Sequence, residues 1–356
     1  MVSVSLCMIV KNEEDVLARC LDSVKYLVDE IIIVDTGSTD KTKEIAKKYT
    51  NKIYDFEWID DFSAARNYAF SKATKKYVMW LDADDVLLPK DKTKFKKLKE
   101  KLNPNVDTIM MKYNVGFDEN DNVTLTYYRE RMFKRDTNPT WIDPIHEVVV
   151  PYGNIIHSDV AISHKKIHVN EPGRNLRIFE KMIKNGTKLN PRQQFYYSRE
   201  LLYNKRFEDA IKGFTNFLDS KEGWVENNIS ACLDLSNTYK EIGDEDNALR
   251  ALFRSFEYDE PRAEVCCNIG KYFLEKYYYN IAIYWYEVAL SREINTESGG
   301  FTNPDYYGYI PAIQLCVCYD RLGNRKKSIE FNELAAKFKP NDSSVKYNRE
   351  YFENSK

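Results

Sequence analysis

The sequence predicts an α/β domain with a mostly parallel sheet, followed by an all-α domain of paired helices. Three observations predict it. In the first part of the chain, short apolar runs alternate with helical periods. From about Glu171 the strand-like runs vanish. In that second half, small residues recur in pairs twelve positions apart. The alternation calls for helices packed on a parallel sheet, and the paired small residues call for helical hairpins. A chain of 356 residues suits two domains, drawn here at 1–170 and 171–356.

Residues 2–10 are apolar and β-rich and make a first strand. Over 13–27, Val16, Leu17, Cys20, Leu21 and Val24 fall on one face of a helix. Residues 30–34 are a continuous apolar run, as in a strand buried on both faces. Residues 36–40 make a turn, and Asp40 caps a helix running to Tyr49. A short strand at 52–54 and a helix at 63–72 lead to an apolar strand at 77–81, which ends in Asp82-Ala83-Asp84-Asp85. Residues 108–115 and 123–133 read as antiparallel additions separated by a polar turn.

In the second half the pairs are Ser198 with Ala210, Ser236 with Ala248, Gly270 with Ala282 and Cys316 with Ser328. A large residue (Leu201, Tyr239, Phe273, Tyr319) follows each first member by three. A small residue on each helix lets two axes approach, and the large neighbour fills the remaining space. The first members lie 38, 34 and 46 residues apart. This pattern resembles the tetratricopeptide repeat, with an insertion at 295–305 in the last interval; a generic helical bundle is the alternative. Such repeats imply a concave surface for extended peptides or proteins, which the abundance of tyrosine, 26 in the chain, suits. Self-association, as a homodimer through the repeats, is the other use expected of them.

Composition excludes several classes. Lys plus Arg is 53 and Asp plus Glu is 55, leaving no overall field to hold nucleic acid. No apolar run approaches the roughly 20 residues of a membrane helix, and no basic segment precedes the apolar start as in a secretory signal. A cytoplasmic protein without a membrane span is expected. The 7 cysteines include no C-x-x-C and read as reduced, buried thiols.

Ligands of open parallel sheets bind beyond the carboxyl ends of the strands. Three polar segments fall there: Lys11-Asn12-Glu13-Glu14, Asp35 to Asp40, and Asp82-Ala83-Asp84-Asp85. Neither G-x-G-x-x-G nor G-x-x-x-x-G-K-[ST] is present, which removes dinucleotide oxidoreductases and P-loop enzymes. Carboxylates do not hold a phosphate directly, but they hold a hard divalent cation that in turn binds a diphosphate. An isolated Asp-x-Asp is ordinarily a solvated loop or a helix cap. Here it ends an apolar strand, and Asp35 ends a neighbouring one.

At these residues the sequence resembles the family 2 glycosyltransferases of the GT-A (Rossmann-like) fold. The resemblance rests on Ser5-Leu6-Cys7-Met8-Ile9-Val10-Lys11-Asn12-Glu13-Glu14, on Val34-Asp35-Thr36-Gly37-Ser38-Thr39-Asp40, on Asp61-Phe62-Ser63-Ala64-Ala65-Arg66-Asn67 and on Leu81-Asp82-Ala83-Asp84-Asp85, in that order. One branch of that family carries tetratricopeptide repeats and includes transferases that modify peptides or proteins.

The resemblance implies that Val10, Glu13 and Asp35 hold the nucleotide base and ribose. Arg66 and Asn67 would contact the diphosphate or orient Asp82. Asp82 would lie near ribose and metal, with Asp84 as the direct ligand. His164 stands where the branch has a third ligand, although Lys165-Lys166 replaces the expected continuation. His157 and His168 read as surface residues.

Trp141-Ile142-Asp143-Pro144-Ile145-His146-Glu147 resembles the branch's Trp-x-Gly-x-x-His-Glu, with Asp143 in place of Gly. It implies Glu147 as the catalytic base, with Asp85 the alternative and Asp143 third. Trp141 would stack on sugar or acceptor, and His146 would orient Glu147 or approach the diphosphate. Plainer roles stay open: a helix start for Glu13, a turn cap for Asp35, an ion pair for Arg66 and core packing for Trp141.

The implied activity is a metal-dependent (Mn²⁺ or Mg²⁺), inverting transfer from a nucleotide-sugar, a UDP-sugar by family frequency, to a peptide or protein acceptor held partly by the repeats. The alternatives are a glycan or lipid-linked acceptor in surface polysaccharide assembly, and a non-catalytic repeat adaptor.

Overall fold

The computed structural model describes residues 1–118, 121, 123–167, 171–295, 299–300 and 303–354. They form two compact units, Met1–Thr187 and Lys188–Lys356.

The first unit is built on one eight-stranded sheet. Its strands are β1 (Val4–Val10), β2 (Glu30–Asp35), β3 (Ile53–Asp55), β4 (Tyr77–Trp80), β5 (Asp85–Val86), β6 (Thr108–Phe117), β7 (Val123–Lys134) and β8 (Ile155–His164). They are ordered β3-β2-β1-β4-β7-β6-β8-β5. The β1–β2, β1–β4 and β2–β3 pairs are parallel. The helices α1 (Leu17–Val24), α2 (Thr42–Ala46) and α3 (Phe62–Ser71) make the crossovers between these strands. The β7–β6 hairpin is antiparallel, as the sequence predicts, and joins the sheet antiparallel to β4.

Alternation along each strand feeds two cores, one on each face of the sheet. Leu6, Met8, Ile33 and Met79 enter one, and Cys7, Ile32, Val34 and Trp80 enter the other. The helix read over 13–27 begins only at Leu17. Before it, Glu13 N donates to Thr42 Oγ1 at 2.7 Å and Glu14 N to Asp40 Oδ2 at 3.1 Å, so these amides tie two loops together.

The sequence pattern marks neither β8 nor the helix α4 (Pro89–Lys101). Polar His157, Ser158 and Asp159 interrupt the alternation of β8, and its pairing with β6 shifts register there.

α5 (Arg174–Lys184) belongs to the first unit, beyond the boundary drawn at 170/171. Its Arg177 and Lys181 both bridge to Asp60, at 3.1 and 2.6 Å. Such charges sit on the polar face of a helix and do not report which unit the helix joins.

The second unit consists of helices α6 (Pro191–Tyr203), α7 (Phe207–Ser220), α8 (Val225–Glu241), α9 (Glu245–Arg254), α10 (Ala263–Glu275), α11 (Tyr279–Leu290), α12 (Tyr309–Arg321), α13 (Arg325–Phe338) and α14 (Ser343–Asn354). The four small-residue pairs sit between α6 and α7, α8 and α9, α10 and α11, and α12 and α13, all buried. Each hairpin turns through one left-handed residue seven positions after the first small residue: Lys205, Gly243, Tyr277 and Gly323, with φ of 59°, 78°, 63° and 73°. Two of the four, Lys205 and Tyr277, are not glycine. All seven cysteines are buried and unbridged, as expected.

Candidate functional site

The site begins where the parallel strands end. Asn12, at φ 55°, accepts from Thr39 N at 2.8 Å and donates its own N–H to Ser38 Oγ at 3.0 Å. The loops after β1 and β2 are thereby fixed to one another. Asp35, 1% exposed, accepts from Gly37 N at 3.0 Å and Ser38 N at 2.9 Å through Oδ1. Its Oδ2 is buried and takes no hydrogen bond from a described residue. One oxygen therefore caps the turn, and the other is an acceptor that burial leaves costly until a donor arrives. Val10 is buried at the strand end and Glu13 is half-buried beside it.

α3 starts at Asp61, whose carboxylate accepts from Ala64 N at 2.9 Å. It carries Arg66, 8% exposed, into the centre of the site. There Arg66 Nε donates to Glu147 Oε1 at 2.7 Å and Nη2 to Asp82 Oδ1 at 2.8 Å. The guanidinium lies over Trp80 at 5.0 Å and Trp141 at 4.8 Å. Burial works against the charge on Arg66, but Asp82 and Glu147 outweigh it and bind the proton more tightly than usual. Burial likewise works against the charge on Asp82, yet Arg66 and Arg131 bring it down to about 2.

Asp82 to Asp85 form a turn closed by Asp85 N donating to Asp82 O at 3.1 Å. The turn sends Asp82 toward Arg66. A ligand oxygen from Asp84, one from Asp85 and a nitrogen of His164 lie within 4.8 Å of one another. β8 runs antiparallel to β5 and pairs His164 with Asp85 in register. His164 Nδ1 lies 3.3 Å from Asp84 Oδ1 and 3.2 Å from Asp85 Oδ1. Burial opposes charge on the imidazole, but its hydrogen bonds to Asp84 and Asp85 outweigh it and raise its pKa to about 10.

Glu13 is pushed up to about 7, first by burial and then by Asp84, Asp82 and Asp40. A set of oxygen donors with one imidazole suits Mn²⁺ or Mg²⁺, and the mutual repulsion felt at Glu13 is what a divalent cation would relieve.

Several expected site residues are elsewhere or otherwise engaged. Asp82, expected as a metal ligand, pairs with Arg66 and is not in the cluster; Asp85 takes that place. Asp85, the alternative base, is fully buried and bonded by Arg131, Tyr113 and His164, so no acceptor hydroxyl reaches it. Asn67, expected at the diphosphate, spends its amide on Trp141, accepting from Trp141 N and donating to Trp141 O, both at 2.9 Å. Trp141 is 2% exposed and packs edge-on against Trp80 at 5.0 Å, so it braces Arg66 from below and offers no face to a sugar.

Asp143 and His146 have φ of 69° and 53°, which explains why glycine suits position 143. His146 stacks on Phe179 at 6.2 Å. His157 is exposed, and His168 lies outside the described residues. Arg131 and Tyr113 lie outside the sequence motifs. The signal available was an arginine immediately before the buried Met132 and Phe133 of β7.

Residues 5–161 match the family described as Glycosyl transferase family 2. A TPR repeat-containing protein of Synechococcus elongatus is 38% identical over 150 residues, 42% of this chain and 36% of that protein. The glycosyltransferase SunS of Bacillus subtilis is 28% identical over 216 residues, 57% of this chain and 50% of that protein. The chain thus spans half or less of the length of these relatives. Among solved structures, S. aureus TarS 1-349 is similar at 14% identity, over 72% of this chain and 91% of that one, with a TM-score of 0.40. Residues 5–161 of the N-terminal unit thus match glycosyltransferases of family 2, and the chain joins them to a series of helical pairs.

Proposed function

We propose that this chain transfers a sugar from a nucleotide-sugar, UDP-linked by family frequency, to a peptide or protein acceptor, with inversion at the anomeric carbon. The observation that carries the donor half is the buried Asp35 Oδ2 without a partner, at the same strand ends as the Asp84–Asp85–His164 cluster. Asp35 would accept from an N–H or hydroxyl of the nucleoside, and Glu13 would lie beside it. Asp84 and His164 would hold Mn²⁺ or Mg²⁺, which when bound supplies charge to stabilise the departing diphosphate.

Glu147, 13% exposed at its side chain, is the base this reading favours. It would take the proton as the acceptor heteroatom bonds to the anomeric carbon and the bond from that carbon to the diphosphate oxygen breaks. Arg66 would keep Glu147 oriented. The acceptor half rests on the helical pairs and on exposed tyrosines among them, such as Tyr203, Tyr278 and Tyr284 at 60%, 58% and 59%.

The test is a panel of UDP-, GDP- and dTDP-sugars with Mn²⁺ or Mg²⁺, read by thermal shift and nucleotide release, with Asp84→Asn beside the wild type. A metal-dependent shift with one nucleotide, lost in Asp84→Asn, supports the reading. A folded protein that responds to no donor would sink it and favour a repeat adaptor.

A further inference from the structure

Two fully buried charges lie behind the cluster. Arg131, on β7, and Asp85 both have side chains at 0% exposure, and Arg131 Nη1 donates to Asp85 Oδ2 at 3.0 Å. The guanidinium is held between two aromatic faces, 3.7 Å from the Trp80 ring centre and 4.2 Å from that of Tyr113. Its Nε and Nη2 make no hydrogen bond with a described residue.

Stability does not explain such an arrangement. A buried ion pair is commonly no better than an apolar pair of the same volume, and two guanidinium nitrogens without acceptors make this one worse. What a stacked planar cation does well is fix the position of its carboxylate.

Asp85 passes that position on. Its Oδ2 also accepts from Asp82 N at 3.1 Å, which holds the turn bearing Asp82 and Asp84. Its Oδ1 accepts from Tyr113 Oη at 3.0 Å and lies 3.2 Å from His164 Nδ1. His164 Nδ1 thus faces carboxylate oxygens of both Asp84 and Asp85. Nδ1 is the ring nitrogen that faces the cluster, and Asp85 and Tyr113 behind it fix the orientation of the imidazole.

We propose that Arg131 is a positioning residue for the metal site. It anchors Asp85 from inside the sheet, and Asp85 in turn fixes the turn bearing Asp84 and holds His164 toward Asp84. The inference rests on the metal site of the proposed function, but concerns Arg131, which lies behind the cluster and is not one of its ligands.

The test is the Mn²⁺ affinity of the full chain without nucleotide, followed by the electron paramagnetic resonance of free Mn²⁺. Arg131→Lys keeps the charge but loses the planar stack. Its Mn²⁺ affinity should fall about 10- to 100-fold, the range for losing support behind a ligand, while nucleotide binding in EDTA and the folded circular dichroism spectrum stay those of the wild type. Tyr113→Phe removes the hydroxyl shared by Asp85 and His164 and keeps a ring beside Arg131, so it serves if Arg131→Lys does not fold. Its affinity should fall severalfold.

Wild-type Mn²⁺ affinity in a folded variant overturns the inference and leaves the transferase reading standing. An equal loss of nucleotide binding in EDTA also overturns it, since that marks a general distortion. A wild type that binds no Mn²⁺ removes the metal site and this inference together, and sugar transfer in EDTA would then show that the transferase reading survives without them.

Discussion

Replacing Arg66 by alanine should destabilise the first unit by about 3 kcal/mol, with most of the loss assigned to Glu147 and little to Asp82. The two hydrogen bonds have nearly equal lengths, 2.7 and 2.8 Å, so geometry alone weights them alike. Exposure separates them: the Glu147 side chain is 13% exposed and that of Asp82 34%. A pair shielded from water loses about 3–5 kcal/mol when one partner is removed, whereas an exposed pair is worth about 0–1 kcal/mol. Glu147 lies nearer the first limit and Asp82 nearer the second.

A double-mutant cycle with Glu147→Gln should give a coupling of about 2 kcal/mol, and one with Asp82→Asn about 1 kcal/mol or less. The assay is urea unfolding followed by tryptophan fluorescence, with Trp224 and Trp285 replaced by phenylalanine so that the signal comes from the first unit. Equal couplings, or a loss below about 1 kcal/mol for Arg66→Ala, would refute the claim that burial sets the strength of these contacts.

Three further outcomes follow from other parts of the molecule. Burial works against the Glu30 carboxylate, but bonds from Lys52, Ser5 and Thr74 bring it from 4.5 down to about 2. Its contribution, about 3 kcal/mol, is present above pH 4.5 and is lost as pH falls toward 2; Glu30→Gln should destabilise at pH 7 and nearly match wild type at pH 2, and an equal difference at both would contradict this. In Gly270→Ala the new Cβ would meet the buried Tyr286 ring at 2.9 Å. Overpacking costs about 1–3 kcal/mol against a helix-propensity gain of at most about 1 kcal/mol, so the melting temperature of the second unit should drop, and a rise would count against close helix approach there. If Glu147 is the base, Glu147→Gln should slow transfer about 10²- to 10⁴-fold with donor affinity unchanged; an unaltered rate would remove it from that role.

The chain's local order carried much of this in plain view. Continuous apolar runs placed β1, β2 and β4, because each strand must fill a core on both faces of the sheet. The turn read at 36–40 holds Gly37 at a φ of 103°, where backbone strains a side chain. The small-residue pairs marked the helical hairpins, because axes approach only where side chains are short.

Tertiary structure alone decided which charged groups meet. Arg66 and Glu147 are 81 residues apart, and His164 and Asp85 are 79 apart. Periodicity says which face a residue occupies, but not which distant carboxylate shares that face. The turn at 82–85 turned Asp82 to Arg66 and left Asp84 to the cluster, and β8 brought His164 beside it. Burial decided the rest. It set Asp85 and Trp141 beneath the site, while Asn67, half-buried, has its amide engaged by the Trp141 backbone, so these side chains support the site from behind.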